Sequence, residues 1–530
     1  MGMGSMVLSI KSQFVRKYKL IPLMGAAYTF FCSTTVFAID FQYVPSLTIR
    51  ETYSDNIRLA PKGQEQGAFV TEITPGISIR GVNGGRLTAD FSYQMQNLFN
   101  AGGDGTAQIF HQMQFNSGYQ LMRRSLFASA RSSYSQQNVS NLRDGDNINN
   151  LEERTNIWTA GTSVNWAPRF GNFANAQVSV DFDYVANDNA DQLSNSMNLR
   201  ESVNIRSGLD FKRITWVAAF NNSTEFRENE DNVHFQNTQA TIRAWLDRRF
   251  NFFTTLGYAN NSFQGSDTSN NGFFYTLGAQ WKPNWWFDIE AGYGNNWHVT
   301  SNLSLSQRTH LSAGYFDRSV GLNTGGAWSA SANHITSRSS WDFTYTEDTT
   351  TVQDILLQDS NVPIIDASGN QVLGNDGQPI VFNESLPSLM NDVLVRKTAN
   401  ASVSYREGRS NYQLGGFYER REFENSDNDR ETVYGVDVSW NWQFLRRMSF
   451  FLSPSWQHIQ RNNTNITDTS DENQDRYQLI TRLTRTVPFN IGRSRLLNTS
   501  LEYRFLKQNS NLLFNSYVEN RVTLSLFMNF

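Results

Sequence analysis

Residues 521–530 read RVTLSLFMNF. Val522, Leu524, Leu526, Met528 and Phe530 fall on one face, and Arg521, Thr523, Ser525, Phe527 and Asn529 on the other. A period of two is the period of a β-strand, whose successive side chains point to opposite faces. Such a strand needs a paired edge and a cover for its apolar face. The segment is therefore an element of a sheet, and the remaining question is what covers it.

The same alternation recurs from residue 44 onward. IWTAGTSVNW (157–166) puts Trp158, Ala160, Thr162, Val164 and Trp166 together. AQVSVDFDY (176–184) sets Val178, Val180 and Phe182 against Gln177, Ser179, Asp181 and Asp183. SVNIRSGLDF (202–211) sets Val203, Ile205, Leu209 and Phe211 against Asn204, Arg206 and Asp210, and LLNTSLEYRF (496–505) sets Leu497, Leu501, Tyr503 and Phe505 against Ser500, Glu502 and Arg504. Strands of roughly 10 to 14 residues, joined alternately by very short and by long connections, are the pattern of a transmembrane β-barrel. A soluble sandwich or solenoid would also bury one face. It explains neither the strand length nor the alternation of connections.

Composition fits the barrel. Hydrophobic residues make up only 39% of the 530, while aromatics reach 13% and prolines number 11. Mean hydropathy is -0.50, and no stretch after residue 38 is apolar over the 18 or so residues that a membrane helix needs. No linker or helical block divides the chain, so residues 39–530 are expected to form one domain.

Residues 1–38 have the form of a secretory signal that is cleaved. Lys11, Arg16, Lys17 and Lys19 form a basic start, LIPLMGAAYTFF (20–31) an apolar core, and VFA ends at Ala38. Cys32, the only cysteine, lies within it. The exported part then has no thiolate for a disulfide, a nucleophile or a Cys-ligated metal. The net charge is -4, and losing four positive charges takes it to about -8, which argues against nucleic acid as a partner.

Charge is segregated between the connections. Short ones are basic: MRRS (122–125), PRFGN (168–172), KRIT (212–215), DRRFN (247–251), LRRMS (445–449) and IGRSR (491–495), with SRSS (337–340) and EGRS (407–410). Long ones are acidic: DGDNINNLEE (144–153), ANDNADQ (186–192), ENEDN (228–232), ENSDNDRE (424–431) and DTSDENQD (468–475). Short connections belong in the periplasm and long ones outside the cell. This phase gives about 22 strands, an even number as single-chain barrels require. Between residues 282 and 337 three strands can be drawn where parity demands two or four, so 24 is the alternative.

The expected lumen wall carries both signs: Asp181, Asp183, Arg206, Asp210, Arg243, Asp437, Glu502, Arg504 and Arg521. Alternating signs suggest a hydrated wall with cross-strand pairs rather than a one-sign filter. Trp285, Trp286, Phe250, Phe252, Phe170, Trp440 and Trp442 fit aromatic girdles at the membrane interfaces. A sugar-stacking role would need aromatics such as Trp245 on the lumen side. Residues 350–394 form the longest connection and carry ILL, VPII and PIVF. Long loops of this kind are usually functional, and an apolar one needs a surface to pack on. It is expected to fold into the lumen. The few residues between Ala38 and the first strand leave no room for a plug domain.

Six scattered histidines, His111, His234, His298, His310, His334 and His458, form no short metal or catalytic pair. DGDNINNLEE lacks the glycine and ligand register of an EF-hand. No enzyme, cofactor or metal site is expected.

TYSDNIRLAP (52–61) with ITPGISIRGVNGGRLTADFSYQMQNLFN (73–100), and SASANHITSRSSWDFTYTEDTT (329–350), resemble blocks of the PEP-CTERM system-associated outer-membrane β-barrel family. The resemblance covers most of residues 39–530, and its motifs are structural. It implies a part in envelope export at exopolysaccharide and surface-protein sorting loci, and it carries no catalytic residue. A terminal aromatic strand resembles the signal read by the barrel-assembly machinery, here Leu526, Met528 and Phe530. The expected place is the outer membrane of a Gram-negative bacterium, among outer-membrane lipid and lipopolysaccharide, with a polysaccharide or an export-system component as a further partner. The expected function is a passive hydrated conduit for exopolysaccharide or another large polar solute. The alternative is a structural scaffold, or a sheath for a partner protein, without free conduction.

Overall fold

The computed structural model describes residues 39–530 except 102–106, 139–147, 149–153, 189–192, 229, 264–269, 323, 359–391, 425–429, 463–471 and 492–493. The segment 1–38, read as a signal, lies outside the described residues.

The strands form one antiparallel sheet that closes on itself. Closure is made by the first strand, Asp40–Ser54, against the last, Tyr517–Asn529. Ser54 stands opposite Arg521 and Ser46 opposite Asn529. A closed sheet leaves no row of unpaired backbone groups, which hydrocarbon could not hydrogen-bond. Leaving aside the two-residue stretch Arg169–Phe170, which belongs to a turn, the ring has 24 strands. That is the higher of the two counts the sequence allowed.

The region of uncertain parity holds four strands: Phe287–Gly294, Asn296–Ser306, Thr309–Arg318 and Gly325–Ile335. The first two are separated by Asn295 alone. An outer connection this short carries no loop composition, so the sequence could not reveal the extra hairpin. Among the described residues, no helix is long and apolar enough to cross a membrane. The chain crosses with strands.

The molecule is apolar outside and polar inside. On the last strand Val522 and Leu524 are 42% and 51% exposed, whereas Arg521 and Ser525 are each 7% exposed. The same division runs along Ala174–Asn187, where Val180 and Phe182 face out and Asp183 is buried. This inverted arrangement suits lipid as the outer solvent. Aromatic pairs on the outer face mark two levels. Near the short turns Phe250 packs edge-on to Phe252, and Tyr412, Trp440 and Trp442 stack in a row. Trp285 and Trp286 sit exposed in the turn Asn284–Phe287. Toward the long connections Tyr53 meets Phe69 and Tyr315 meets Trp328. Amphipathic rings gather at the two membrane interfaces.

Candidate functional site: the two mouths of the lumen

The outer mouth is crossed by protein. After the strand Ser339–Thr351 the chain turns into a short helix, α1, Val352–Gln358. Val352, Ile355 and Leu356 are buried in one cluster with Ile157, Val185, Leu193 and Leu394. Ile157 lies on Arg154–Trp166 and Val185 on Ala174–Asn187. These are the sixth and seventh strands, and the helix leaves the seventeenth of the 24. Residues from nearly opposite walls therefore share one apolar core. The helix bridges the lumen.

Polar contacts hold the bridge from the same side. Asp354 accepts from Asn198 Nδ2 at 2.6 Å and faces Arg200 at 3.2 Å. Thr351 Oγ1 donates to Glu225 at 2.7 Å, and Arg227 lies 2.6 Å from the same carboxylate group. Below them Asp183 accepts from Arg131 at 2.6 and 2.7 Å, with Arg200 3.5 Å away. Gly161 provides the space for Asp183, because a Cβ there would stand 1.9 Å from its Oδ1. Burial pushes the Asp354 carboxyl up to about 6, and the nearby Glu225 and Asp183 charges add to the rise, while Arg200 and Arg227 oppose it. On the facing wall Arg421, almost fully buried, lies between Glu419 at 2.7 Å and Glu431 at 2.8 Å, with Arg396 and Arg461 at the outer sides of those acids. Buried charges persist only when paired and hydrogen-bonded in this way.

A second piece enters from the turn after the first strand. In SDNIRLAP (54–61) Ser54 donates to Glu519 at 2.6 Å. The fully buried Asn56 donates to the Ala60 and Val518 carbonyls and accepts from the Ala60 N–H. Leu59, at a φ of +51°, packs with Leu506 and Tyr517. Ile57 joins Ala68, Val70, Leu98 and Ile148 in a further cluster. Asn56 thus ties the turn to the last strand through its side-chain amide.

The middle of the wall carries a row of rings on the lumen side. His298 stacks 5.7 Å from Phe253 and 5.9 Å from Phe316. The Arg243 guanidinium lies 5.1 Å from the Phe253 centroid and 2.8 Å from Glu290. Phe253 and Phe274 lie over Gly278 and Gly257, where a Cβ would meet ring atoms at 2.4 and 2.2 Å. Glycine in a strand often marks such close approach. Phe253 and Phe274 are buried against the wall and His298 and Phe316 half-buried, so the row braces the wall. Trp245 is on the same side as Arg243, and its indole donates to Thr215 at 3.2 Å.

The inner mouth differs. Between the strands from Val393–Glu407 to Glu472–Ile491 the wall forms an open cavity of about 710 Å³, lined by Arg406, Arg409, Arg446 and Arg447 with amides and hydroxyls. Asn411, Asn441 and Gln443 line it from the lumen face, alternating with the outward-facing Trp440 and Trp442.

The residues singled out in the sequence fall into three groups. Asp181, Asp183, Arg206, Arg243, Asp437, Glu502, Arg504 and Arg521 lie on the inward face of their strands. Glu502 pairs with Arg482 at 2.6 Å, and Asp437 fills the space above Gly415. Asp210 is elsewhere. The strand Ser196–Ser207 ends before it, and its N–H donates to the Asn172 carbonyl in the periplasmic turn. Gly208 breaks the alternation, so the pattern read through it was a turn. Leu526 and Met528 lie on the lipid side, and the Phe530 N–H donates to the Pro45 carbonyl. Of 350–394, the body 359–391 lies outside the described residues, and its described start is α1. Missed altogether were Asp354, Asn56 and the Glu419–Arg421–Glu431 group. For the last, the charged ends of the neighbouring strands Ser410–Phe423 and Arg430–Leu445 were the available signal.

No family model matches the chain, and no curated protein does. Solved structures similar to it are large barrels: the siderophore receptor PirA from Pseudomonas aeruginosa, at 10% identity over 92% of this chain and 80% of that one, with a TM-score of 0.40; the FrpB iron transporter from Neisseria meningitidis, at 11% over 93% and 83%, TM-score 0.44; and OccAB2 from Acinetobacter baumannii, at 10% over 92% and 98%, TM-score 0.32. The chain is a closed antiparallel β-barrel of 24 strands, apolar outside and polar inside. At these values no side-chain role carries across.

Proposed function

We propose that this protein is a gated, passive conduit across the outer membrane, closed at its outer mouth at rest. The observation that carries the proposal is the bridge of α1. A polar wall leads to a closure centred on seven helical residues, packed on the outer ends of strands that carry Ile157, Val185 and Leu394. A closure of that size can move while the 24-strand ring keeps all its ladder hydrogen bonds. Hydrated polar walls conduct polar solutes by diffusion and by weak, exchangeable contacts.

The solute class we assign is exopolysaccharide. Its support is the resemblance of Thr52–Pro61, Ile73–Asn100 and Ser329–Thr350 to the PEP-CTERM system-associated barrels. Export at the cell envelope and a periplasmic export-system component as partner belong to the same proposal.

Single-channel recording in planar bilayers tests it. The parent is expected to conduct rarely, and a variant with residues 352–391 replaced by a short Gly/Ser bridge to conduct continuously. If both insert as folded barrels and neither conducts, the scaffold or sheath reading replaces the conduit.

A further inference from the structure

We infer that the inner mouth holds an acidic polysaccharide, by its carboxylates, in the cavity of Arg406, Arg409, Arg446 and Arg447. This rests on the conduit reading and narrows its solute.

Three observations converge. The first is sign. Four of the 12 residues lining the cavity are arginines, and none of the 12 is Asp or Glu. Just beyond the cavity Arg482, two residues before Thr484 on the same strand, faces Glu502 at 2.6 Å, and farther along the wall Arg131, Arg200 and Arg421 face carboxylates within 3.5 Å. The single sign is local to this cavity, since toward the same end of the wall Arg80 pairs with Asp90 at 3.6 Å and Arg243 with Glu290 at 2.8 Å.

The second is the face. Asn411, Asn441 and Gln443 are on strands whose neighbouring residues Tyr412, Trp440 and Trp442 form the lipid-side aromatic row. The cavity consequently opens to the water path, one residue away from lipid but on the other side of the wall. A bilayer headgroup would need the outer side.

The third is ligand chemistry. Guanidinium forks match carboxylates with two parallel hydrogen bonds. Asn411, Asn441, Gln443, Ser449, Thr484 and Thr486 add donors and acceptors suited to sugar hydroxyls. A volume of about 710 Å³ lies in the usual range for small-ligand sites, enough for a few sugar units of a longer chain. The turns around the periplasmic rim add Arg123, Arg124, Lys212, Arg213, Arg248 and Arg249, whereas the outer connections are acidic. A polyanion is drawn to the first end and repelled from the second, and this field favours entry from the periplasm.

The test uses the purified full barrel in detergent and oligogalacturonate as probe, with neutral dextran as control. The parent is expected to bind oligogalacturonate at low salt, more weakly at high salt, and not to bind dextran. Arg409→Gln/Arg446→Gln/Arg447→Gln should lose at least about tenfold in affinity. Arg409→Gln alone, an exposed turn substitution, should lose part of it and guards against a folding failure of the triple variant. Equal binding by parent and a heat-modifiable triple variant overturns the inference, as does equal binding of dextran. If the parent ignores oligogalacturonate but retains phosphatidylglycerol that the variant loses, the cavity is a lipid site and the inference falls. Binding of oligogalacturonate by a parent that never conducts keeps the site and removes the conduit.

Discussion

Asp354, on a helix that leaves the seventeenth strand, meets Arg200 of the eighth at 3.2 Å across the outer mouth. Neither residue is near the other in sequence, and the pair exists only because the ring closes and the helix turns inward. The bridge it belongs to is where the conduit is expected to be controlled.

The bridge should respond to pH. The docked Asp354 carboxyl titrates at about 6, above its ordinary 3.8, mainly because burial disfavours the charge. A group whose docked value is raised contributes stability that is complete below the ordinary value and is lost as pH rises through the docked one. At about 1.4 kcal/mol per pH unit, the linkage is on the order of 3 kcal/mol. Docking is therefore tightest near pH 4 and loosens toward pH 7. Channel openings should become more frequent over that range, and Asp354→Asn should stay closed throughout it. A parent whose open probability is flat with pH would contradict this.

Ile355 is 2% exposed in the apolar part of the bridge. Ile355→Ala should weaken docking by about 2–5 kcal/mol, and Ile355→Asp should abolish it. Both barrels should fold, because no strand residue is changed. Conductance and uptake of large antibiotics should rise, more for Asp than for Ala. Unchanged conductance in a folded Ile355→Asp barrel would remove α1 as the constriction.

Gly161 is the place where the wall has no room. Gly161→Ala would put a methyl against Asp183, which is locked by Arg131 and buried. Overpacking of this kind costs about 1–3 kcal/mol. The temperature at which the folded band converts to the unfolded one on unboiled gels should fall. Gly63→Ala, at an exposed turn glycine with nothing within 4 Å but a φ of +90°, should cost less than that.

Orientation can be read by labelling. Glu230→Cys lies in an outer connection and Ser337→Cys in a basic turn, and both are exposed. An impermeant maleimide on intact cells should label the first and spare the second. The reverse result would exchange the two mouths.

The alternation in RVTLSLFMNF was enough to place Val522 toward lipid and Arg521 toward the lumen. Side-chain direction in a strand is local, set by every second residue. The basic short turns and the acidic long loops were legible for the same reason, because turn chemistry is written in consecutive residues. Tertiary structure decided everything that depends on register and closure. Asn295 alone separates two strands, so no loop signal announced the hairpin that raises the count to 24. Gly208 ended a strand whose alternation continued on paper to Asp210. Asp183 meets Arg131 because Gly161 stands opposite Asp183 on one neighbouring strand and Arg131 stands opposite Gly161 on the next. The bridge of Val352–Gln358 required Ile157 and Val185 from nearly opposite strands. Contacts between residues so far apart carry no periodic trace in a sequence, because they are made by the shape of the closed ring and not by the neighbours along the chain.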